Sequence, residues 1–361
     1  MSAPRPPPRR SQGPFAWARK NLFATPVDAA LTLLIVWSLY AFASSAGGWL
    51  LFDSVIDADS RAACAAKGSG ACWAVIAARF EQFVFGFYPA EERWRPVLAF
   101  LLLAPALAPV LARGVPFRRP LLAFACAYPL LAGWLIHGGW LLPEVGTKLY
   151  GGFLLTLIIG VTGIAASLPL GVALALGRRS RMPALRILSA GFIEFARGVP
   201  LIALLFVAST MLKYFLPPGT SFDLLVRVLI MVSLFAAAHI AEVVRGGLQS
   251  VPRAQEEAAA ALGLTRRQTL QYVVLPQALR ISIPGIVNVF IGLFKDSTLV
   301  IVIGLLDPLG IARAAAADPK WNGLSTELYL FVALFFFVCC FAMSRYSLRL
   351  ERRLAAGAER R

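Results

Sequence analysis

Long apolar runs constrain this chain more than any other feature of its sequence. They recur along the whole chain, contain few charged residues and are as long as a lipid bilayer is thick. Backbone N–H and C=O groups inside hydrocarbon must bond to one another, so runs of this length form helices. The sequence therefore predicts an all-α membrane protein with eight transmembrane helices. The predicted spans are residues 27–51, 97–112, 120–142, 151–176, 190–216, 224–244, 278–306 and 325–345.

Basic residues predict the orientation of these spans. Arginines cluster in the segments that follow alternate spans, as cytoplasmic loops require. The sides alternate without contradiction when both termini are cytoplasmic. The formal net charge of the chain is +16, and its basic residues lie at the ends of the spans, where they orient a protein in the membrane. This distribution argues against a nucleic-acid partner.

The segments outside the spans divide the chain further. Residues 1–25 are rich in proline and arginine and are expected to form a disordered basic cytoplasmic tail. Residues 26–149 hold the first three spans and an external segment, 52–95, whose aromatic residues suit the membrane interface. Residues 150–346 hold five spans, and residues 347–361 form a second cytoplasmic tail. A cleaved signal peptide is the alternative for the first span, although the run is long for one.

Two cysteines lie in the external segment. Cys64 and Cys72 would meet an oxidising compartment there, in which a disulfide could form and persist. Spacing alone does not establish the geometry that a bridge needs, so a disulfide and two free thiols are both open.

A charged, alanine-rich stretch, residues 255–280, interrupts the apolar runs. It is too charged for lipid and too helix-prone for a plain loop. Gly263 is expected to stop a first helix in the left-handed conformation, and Thr265 with Gln268 forms a capping box for a second. Pro276 is expected to mark the end of that second helix. The sequence thus predicts a helix, a glycine turn and a helix on the cytoplasmic face.

Motifs of soluble enzymes are missing from the sequence. It contains no phosphate-binding loop of the form G-x-x-x-x-G-K-[ST], no H-E-x-x-H and no G-x-S-x-G. His137 and His239 lie in different spans, so no metal site is predicted and no catalytic residue is assigned. Any use of ATP would need another chain to bind it.

Ionisable residues at or near membrane depth are the remaining candidates, because they are costly there. Two acid–base pairs have a spacing of three residues: Glu194 with Arg197, and Glu242 with Arg245. Each pair therefore shares one face of a helix. The two charges of a pair either neutralise each other or take part in gating of the transport path. A deeper group would face a water-filled path or form an internal ion pair. Its members are Lys295, Asp296, Ser297 and Thr298, with Asn288 two turns earlier.

Small residues recur every four positions in the fourth predicted span, at Gly163, Ser167 and Gly171. This face allows close helix contact. This face would either pack against another helix of the same chain, or lie near a partner protein or the transport path.

The interrupting stretch resembles a known family signature. Glu257-Ala258-Ala259, then Gly263, then Val273-x-Leu275-Pro276 resembles the E-A-A-x3-G-x9-[IV]-x-L-P signature, the EAA motif, of permease subunits of bacterial ABC importers. The segments IEFARGVPL, AEVVRGGLQSVPRAQEEAA and NVFIGLFKDSTLV are similar to the permeases for polar amino acids. The first three spans resemble those of the larger permease in general L-amino acid systems.

The resemblance implies a fold and a function. The fold is a five-helix ABC type I importer core, about residues 150–350, preceded by three extra spans, with a cytoplasmic coupling loop at 246–276. The function is that of a membrane-spanning permease subunit in an ATP-driven amino acid importer of the bacterial inner membrane. The residues that would couple the permease to the ATPase are Glu257, Ala258, Ala259, Gly263, Leu275 and Pro276.

The resemblance also implies partners. They are a cytoplasmic ABC ATPase dimer that binds ATP and Mg²⁺, a paralogous permease subunit in a heterodimer, a periplasmic amino acid-binding protein, the L-amino acid and the lipid bilayer. No cofactor is expected in this chain. A stand-alone secondary transporter or channel is the alternative, and a membrane-anchored assembly protein is a further one.

Overall fold

A computed structural model describes residues 13–111, 114–211, 214 and 222–359. Within these ranges the regular structure is helical, accompanied by isolated β-bridges. The chain divides into a first unit that ends at Ala78 and a second that begins at Arg79. The all-α prediction is therefore confirmed.

The first unit consists of three helices and a turn. They are α1 (Pro14–Asn21), α2 (Pro26–Gly47), which a π-helical turn prolongs to Phe52, and α3 (Arg61–Lys67). Helix α1 lies in the segment that was expected to be a disordered tail, whose residues 1–12 are outside the described residues. Proline in the first turn and Arg19 and Lys20 in the last turn favour this helix, since cations complement its C-terminal dipole.

The cysteines of the first unit are joined. Cys64 and Cys72 form a disulfide with their Cα atoms 5.9 Å apart. Beside it, the backbone N–H of Val55 donates to the carbonyl of Ala71 at 2.8 Å. The bridge and this bond close a compact turn that contains α3.

The remaining helices follow in chain order. They are α4 (Ala74–Phe85), which contains the unit boundary, α5 (Trp94–Leu111), α6 (Arg118–His137), α7 (Gly152–Arg178), α8 (Pro183–Gly198), α9 (Leu201–Phe206), α10 (Leu224–Ser250), α11 (Arg253–Ala261), α12 (Arg266–Gln268), α13 (Leu275–Asp296), α14 (Pro308–Ala316) and α15 (Ser325–Glu359).

Six helical segments among the described residues are long and apolar enough to cross a membrane, or seven if a bent pair counts as one span. Helix α5 corresponds to the second predicted span, residues 97–112, and is not among them, so the count of eight remains a prediction. Helix α15 continues to Glu359 through most of the predicted C-terminal tail, of which residues 360–361 lie outside the described part.

The bent pair corrects the fifth predicted span, which was expected to be continuous over residues 190–216. Helix α8 ends at Gly198, and the chain turns by 103° before α9. Val199 takes extended backbone angles, φ −102° and ψ 132°, which the ring of Pro200 favours in the residue before it. The span is therefore broken, and its final residues lie outside the described ranges.

Helices α7, α10 and α13 form the centre of the second unit, with α15 against α13. The small-residue face of α7 packs inside this centre. A Cβ atom on Gly171 would lie 2.6 Å from Cγ2 of Ile240 on α10, and one on Gly163 would lie 3.0 Å from Leu293 on α13. The small residues thus serve close contact within the chain.

Helices α5 and α6 pack on each other as a hairpin. The side chain of Arg95 is fully buried at its end, where Nε donates to the carbonyl of Leu135 at 2.8 Å and Nη1 donates to that of Pro143 at 2.9 Å. A guanidinium at the C-terminal carbonyls of α6 satisfies groups that the helix itself leaves unpaired. Arg95 thereby fixes α5 to the end of α6.

Candidate functional site: the interspan hairpin and its charged neighbours

Residues 251–276, here the interspan hairpin, connect α10 to α13. Pro252 sits at the N-cap of α11, and the helix ends after Ala261. Gly263 has φ +78° in the left-handed region, as predicted. A residue without Cβ takes this conformation without steric cost, so Gly263 reverses the chain.

The capping box predicted after the turn is present. The N–H of Thr265 donates to Oε1 of Gln268 at 2.9 Å, and the N–H of Gln268 donates back to Oγ1 of Thr265 at 3.4 Å. Two otherwise unpaired N–H groups at the start of α12 are thus satisfied.

The structure corrects the expectation for Pro276. This proline is the second residue of α13, and Leu275 before it keeps helical backbone angles, φ −62° and ψ −43°. The chain therefore stays helical from Arg266 to Ile303, with a π-helical section at Thr269–Val274. The second arm of the hairpin and the following span form one continuous helical segment.

The hairpin presents one exposed face. Glu257 and Ala258 lie on it, and Leu262 at its tip is 82% exposed, whereas Ala259 is buried. Contacts within the described part of the chain therefore leave this face, with its one large apolar side chain, uncovered.

Polar contacts join the hairpin to the helices around it. Arg179 Nη2, just after α7, lies 3.7 Å from Oε1 of Glu256 on α11. Nε2 of Gln277 on α13 donates to Oε1 of Gln255 at 3.3 Å. A displacement of α11 would therefore act on both α7 and α13.

Five ionisable side chains beside the hairpin make the charged cluster: Arg178, Glu194, Arg197, Glu242 and Arg245. Glu242 is its centre. Its Oε2 accepts from Nε of Arg245 at 2.9 Å and lies 3.6 Å from Nη1 of Arg178 and 3.7 Å from Nη1 of Arg197. One carboxylate on α10 thus joins α7 and α8 by charge.

The pairing within this cluster partly differs from the prediction. Glu242 and Arg245 pair within one helix turn, as their spacing predicts. Glu194 pairs with Arg178 at 2.9 Å, and Arg197 with Glu242, so these two bind other helices instead of each other. Arg178 is a member of this cluster that the sequence analysis did not single out. Its position directly before Arg179, at the end of a span, was the signal available in the sequence.

The second charged group lies where α13 ends. The helix stops at Asp296, and a 3-10 segment runs over Ser297–Ile303. The hydroxyls of Ser297 and Thr298 donate to the carbonyls of Phe294 and Lys295 at 2.7 and 2.9 Å. Both hydroxyls therefore bond within their own helix, while Lys295 and Asn288 are exposed. This group stays a candidate for the transport path.

Asp307 is a buried acid that the sequence analysis did not single out. It is fully buried at the N-cap of α14, where its Oδ1 accepts from the N–H of Gly310 at 2.9 Å. Burial raises the pKa of its carboxyl from 3.8 to about 6, against backbone hydrogen bonds that lower it. Its Oδ2 has no hydrogen-bond partner within the described ranges. An aspartate directly before proline and a helix was the available signal.

No group of three or more histidine, cysteine, aspartate and glutamate side chains in the described part of the chain could hold a metal ion. The charged cluster instead consists of guanidinium and carboxylate groups, which suit ion pairing between helices.

Comparison with known proteins places these features in a family context. Residues 167–356 match the family of the binding-protein-dependent transport system inner membrane component. The matched region includes the whole interspan hairpin, the charged cluster and the group at Lys295.

Two relatives match over nearly their whole length. The chain is 46% identical over 422 residues to the glutamate/glutamine/aspartate/asparagine transport system permease protein BztC of Rhodobacter capsulatus, covering 98% of this chain and 96% of that protein. It is 47% identical over 356 residues to the inner membrane amino-acid ABC transporter permease protein YhdY of Escherichia coli, with the same coverage of 98% and 96%.

A solved structure resembles part of the chain. The crystal structure of an amino acid ABC transporter with histidines contains a chain that matches with a TM-score of 0.51 and 28% sequence identity. The match covers 55% of this chain and 91% of that one. The structural resemblance therefore extends over about half of this chain.

Proposed function

We infer that this chain, which belongs to the family of binding-protein-dependent transport system inner membrane components, is the membrane-spanning permease subunit of an ATP-driven amino acid importer. The family consists of transport components rather than enzymes. The observation that carries the assignment to an ATP-driven system is the interspan hairpin, whose exposed face bears the spaced residues Glu257, Ala258 and Gly263.

The partners follow from this proposal. A cytoplasmic ATPase dimer binds ATP with Mg²⁺ and receives the hairpin in a groove, a common way to recognise a helix. A periplasmic binding protein delivers the L-amino acid, and a paralogous permease completes a heterodimer. The chain lies in the bacterial inner membrane with both termini in the cytoplasm and eight spans, five of them in the core.

Transmission of the ATPase movement uses contacts of this chain. Closure of the ATPase displaces α11, which acts on α7 through Arg179 and on α13 through Gln277. The ion pairs of the charged cluster make α8 move together with α7 and α10. Movement of rigid helices then alternates access to a central path, in which the group at Lys295 faces the substrate.

A stand-alone secondary transporter or channel is not favoured. The relatives named above are permeases of transport systems, one of them explicitly an ABC transporter permease. A hairpin with an exposed leucine and alanine face has no evident role in a carrier that works alone.

Uptake by variants of the hairpin tests the proposal. Glu257→Lys reverses a charge on the exposed face, and Gly263→Pro imposes a φ near −65° where the turn has +78°. We expect both variants to reach the membrane at normal levels and to lose ATP-driven uptake of labelled amino acids. Glu351→Lys, on the exposed part of α15, is the matched control and should transport normally. Normal uptake by both hairpin variants would refute the coupling role.

A further inference from the structure

An apolar cavity of about 840 Å³ lies between the α5–α6 hairpin and the helices α7 and α10. Its walls include Phe100 and Leu103 of α5, Ile136 of α6 and Leu157 and Ile158 of α7. Its volume is within the range of about 300 to 1,000 Å³ that is usual for small-molecule sites in proteins.

The cavity runs along the helices from one end. Its lining on α7 begins at Leu154 and reaches Thr162, which spans about 12 Å at the rise of an α-helix. The lining on α10 comes from its first turns, at Leu225 to Leu229, and the lining on α6 from its last turns. The cavity is therefore a cleft inside the apolar layer that opens near the connection between α6 and α7.

Small residues on α6 keep the cleft open. Pro129, Ala132 and Gly133 line it one helical turn apart, so they form one face of α6. A Cβ atom added to Gly133 would have no heavy atom within 4 Å. This face of α6 points towards α7 without contacting it closely, so a gap remains between the two helices.

Water is a poor occupant of this gap. The hydroxyl of Tyr128 donates to the carbonyl of Ala99 at 2.7 Å, and that of Tyr150 donates to the carbonyl of Val145 at 3.1 Å. The donors of both tyrosines in the wall are therefore used, and the rest of the lining is mostly apolar. A buried water needs two to four polar partners, whereas an acyl chain needs none.

The mouth of the cleft carries one cationic and one acidic side chain. Lys148 lies there with an exposed side chain. The other charged residue of the lining, Asp223, accepts from the hydroxyl of Thr147 at 2.5 Å and from the N–H of Leu225 at 2.9 Å. Among the described residues Lys148 has no ion pair, so its ammonium is available to a phosphate.

We propose that this cleft binds one phospholipid, with an acyl chain between the α5–α6 hairpin and α7 and the headgroup phosphate at Lys148. The lipid fills the gap between the additional helices and the core, and its anionic headgroup complements the lysine. The site is separate from the interspan hairpin and does not depend on the transport function proposed above.

Lipid analysis of the purified membrane complex tests the acyl-chain part. The complex is extracted from membranes of phosphatidylethanolamine and phosphatidylglycerol, washed in detergent and analysed by mass spectrometry. Gly133→Trp should fill the cleft and lower the retained phospholipid at least threefold. Leu130→Trp, on the exposed face of the same helix, should retain the wild-type amount. Equal retention in both variants would overturn the proposal.

The headgroup part has its own variants. Lys148→Glu should lower the ratio of retained phosphatidylglycerol to phosphatidylethanolamine at least twofold, whereas Lys320→Glu, an exposed lysine in another loop, should not change it. An unchanged ratio in the Lys148 variant would refute the role of this lysine. A benzophenone amino acid in place of Gly133 should cross-link to phospholipid on illumination. A cross-link to a protein, or to another segment of this chain, would overturn the proposal.

Discussion

Arg179 Nη2 lies 3.7 Å from Glu256 Oε1, while the preceding residue, Arg178, contacts Glu194 and Glu242. Two consecutive arginines at the end of α7 thus connect the interspan hairpin to the charged cluster. This arrangement links the hairpin, through the end of α7, to Glu194 on α8 and Glu242 on α10.

Reversal of the Arg179–Glu256 pair should change coupling more than stability. The side chains are 41% and 51% exposed, so the pair contributes at most about 1 kcal/mol to folding. Arg179→Glu and Glu256→Arg should each reduce ATP-driven uptake, because like charges would push α11 away from α7. The double variant should recover uptake, as measured with labelled amino acid in vesicles. A double variant that is no better than either single one would contradict the proposed contact.

Neutralisation of Glu242 should destabilise the charged cluster. Glu242→Gln leaves the guanidinium groups of Arg178, Arg197 and Arg245 close together without their shared carboxylate. With Glu242 23% exposed, we expect a loss of about 1 to 2 kcal/mol, between the values for exposed and fully buried pairs. Thermal unfolding in detergent measures it, and the loss should shrink in high salt. Glu351→Gln is the control, and an equal effect there would argue against the cluster.

Uptake by variants of Gly263 should depend on how readily the new residue takes a positive φ. Gly263→Asn should keep most uptake, because asparagine visits the left-handed region. Gly263→Val should lose it, since that conformation costs about 1 to 2 kcal/mol in a residue such as valine, whose side chain makes no compensating local hydrogen bond. Space is not the cause, because a Cβ there meets nothing within 4 Å. Gly246→Val, equally open but in a regular helix, is the control for expression and uptake. Equal uptake by the asparagine and valine variants would exclude this explanation.

Asp307 should make stability depend on pH. Its pKa rises from 3.8 to about 6 on folding, so the folded state binds more protons between these values and stability falls as pH rises through this window. The stabilisation by the protonated carboxyl is complete below about pH 4 and lost above about pH 6. The shift corresponds to a change on the order of 2 to 3 kcal/mol.

Unfolding of the wild type and of Asp307→Asn between pH 4 and 8 measures this dependence. The variant keeps an oxygen for the N–H of Gly310 but carries no charge, so it should lack this part of the slope. It should also be more stable than the wild type at pH 7. Parallel pH profiles would show that Asp307 is not the source.

Enlargement of Gly171 should overpack the contact between α7 and α10. Its added Cβ would lie 2.6 Å from Ile240 and 2.9 Å from the carbonyl oxygen of Ala237, so Gly171→Val should cost about 1 to 3 kcal/mol. Gly191→Val, in helix α8 with nothing near its Cβ, is the matched control. Thermal unfolding of both variants in detergent compares them. Equal melting temperatures would contradict close packing at Gly171.

Local features of this protein were determined by the sequence alone. The apolar runs specify helices because hydrocarbon leaves backbone groups no other partner. The turn at Gly263, the capping box of Thr265 and Gln268, and the pair of Glu242 with Arg245 all depend on residues within one or two helical turns. Spacing predicts such contacts because α-helix geometry places these side chains together.

Contacts between helices were decided only by the tertiary structure. The partners of Glu194 and Arg197, the small-residue face of α7 and the cleft beside Gly133 depend on which helices pack together and how far apart they stand. Prediction from the sequence also failed within single segments, at the break after α8 at Val199 and at the uninterrupted helix through Pro276. The residue before proline is extended at Val199 and helical at Leu275, so the proline alone does not determine whether a helix ends.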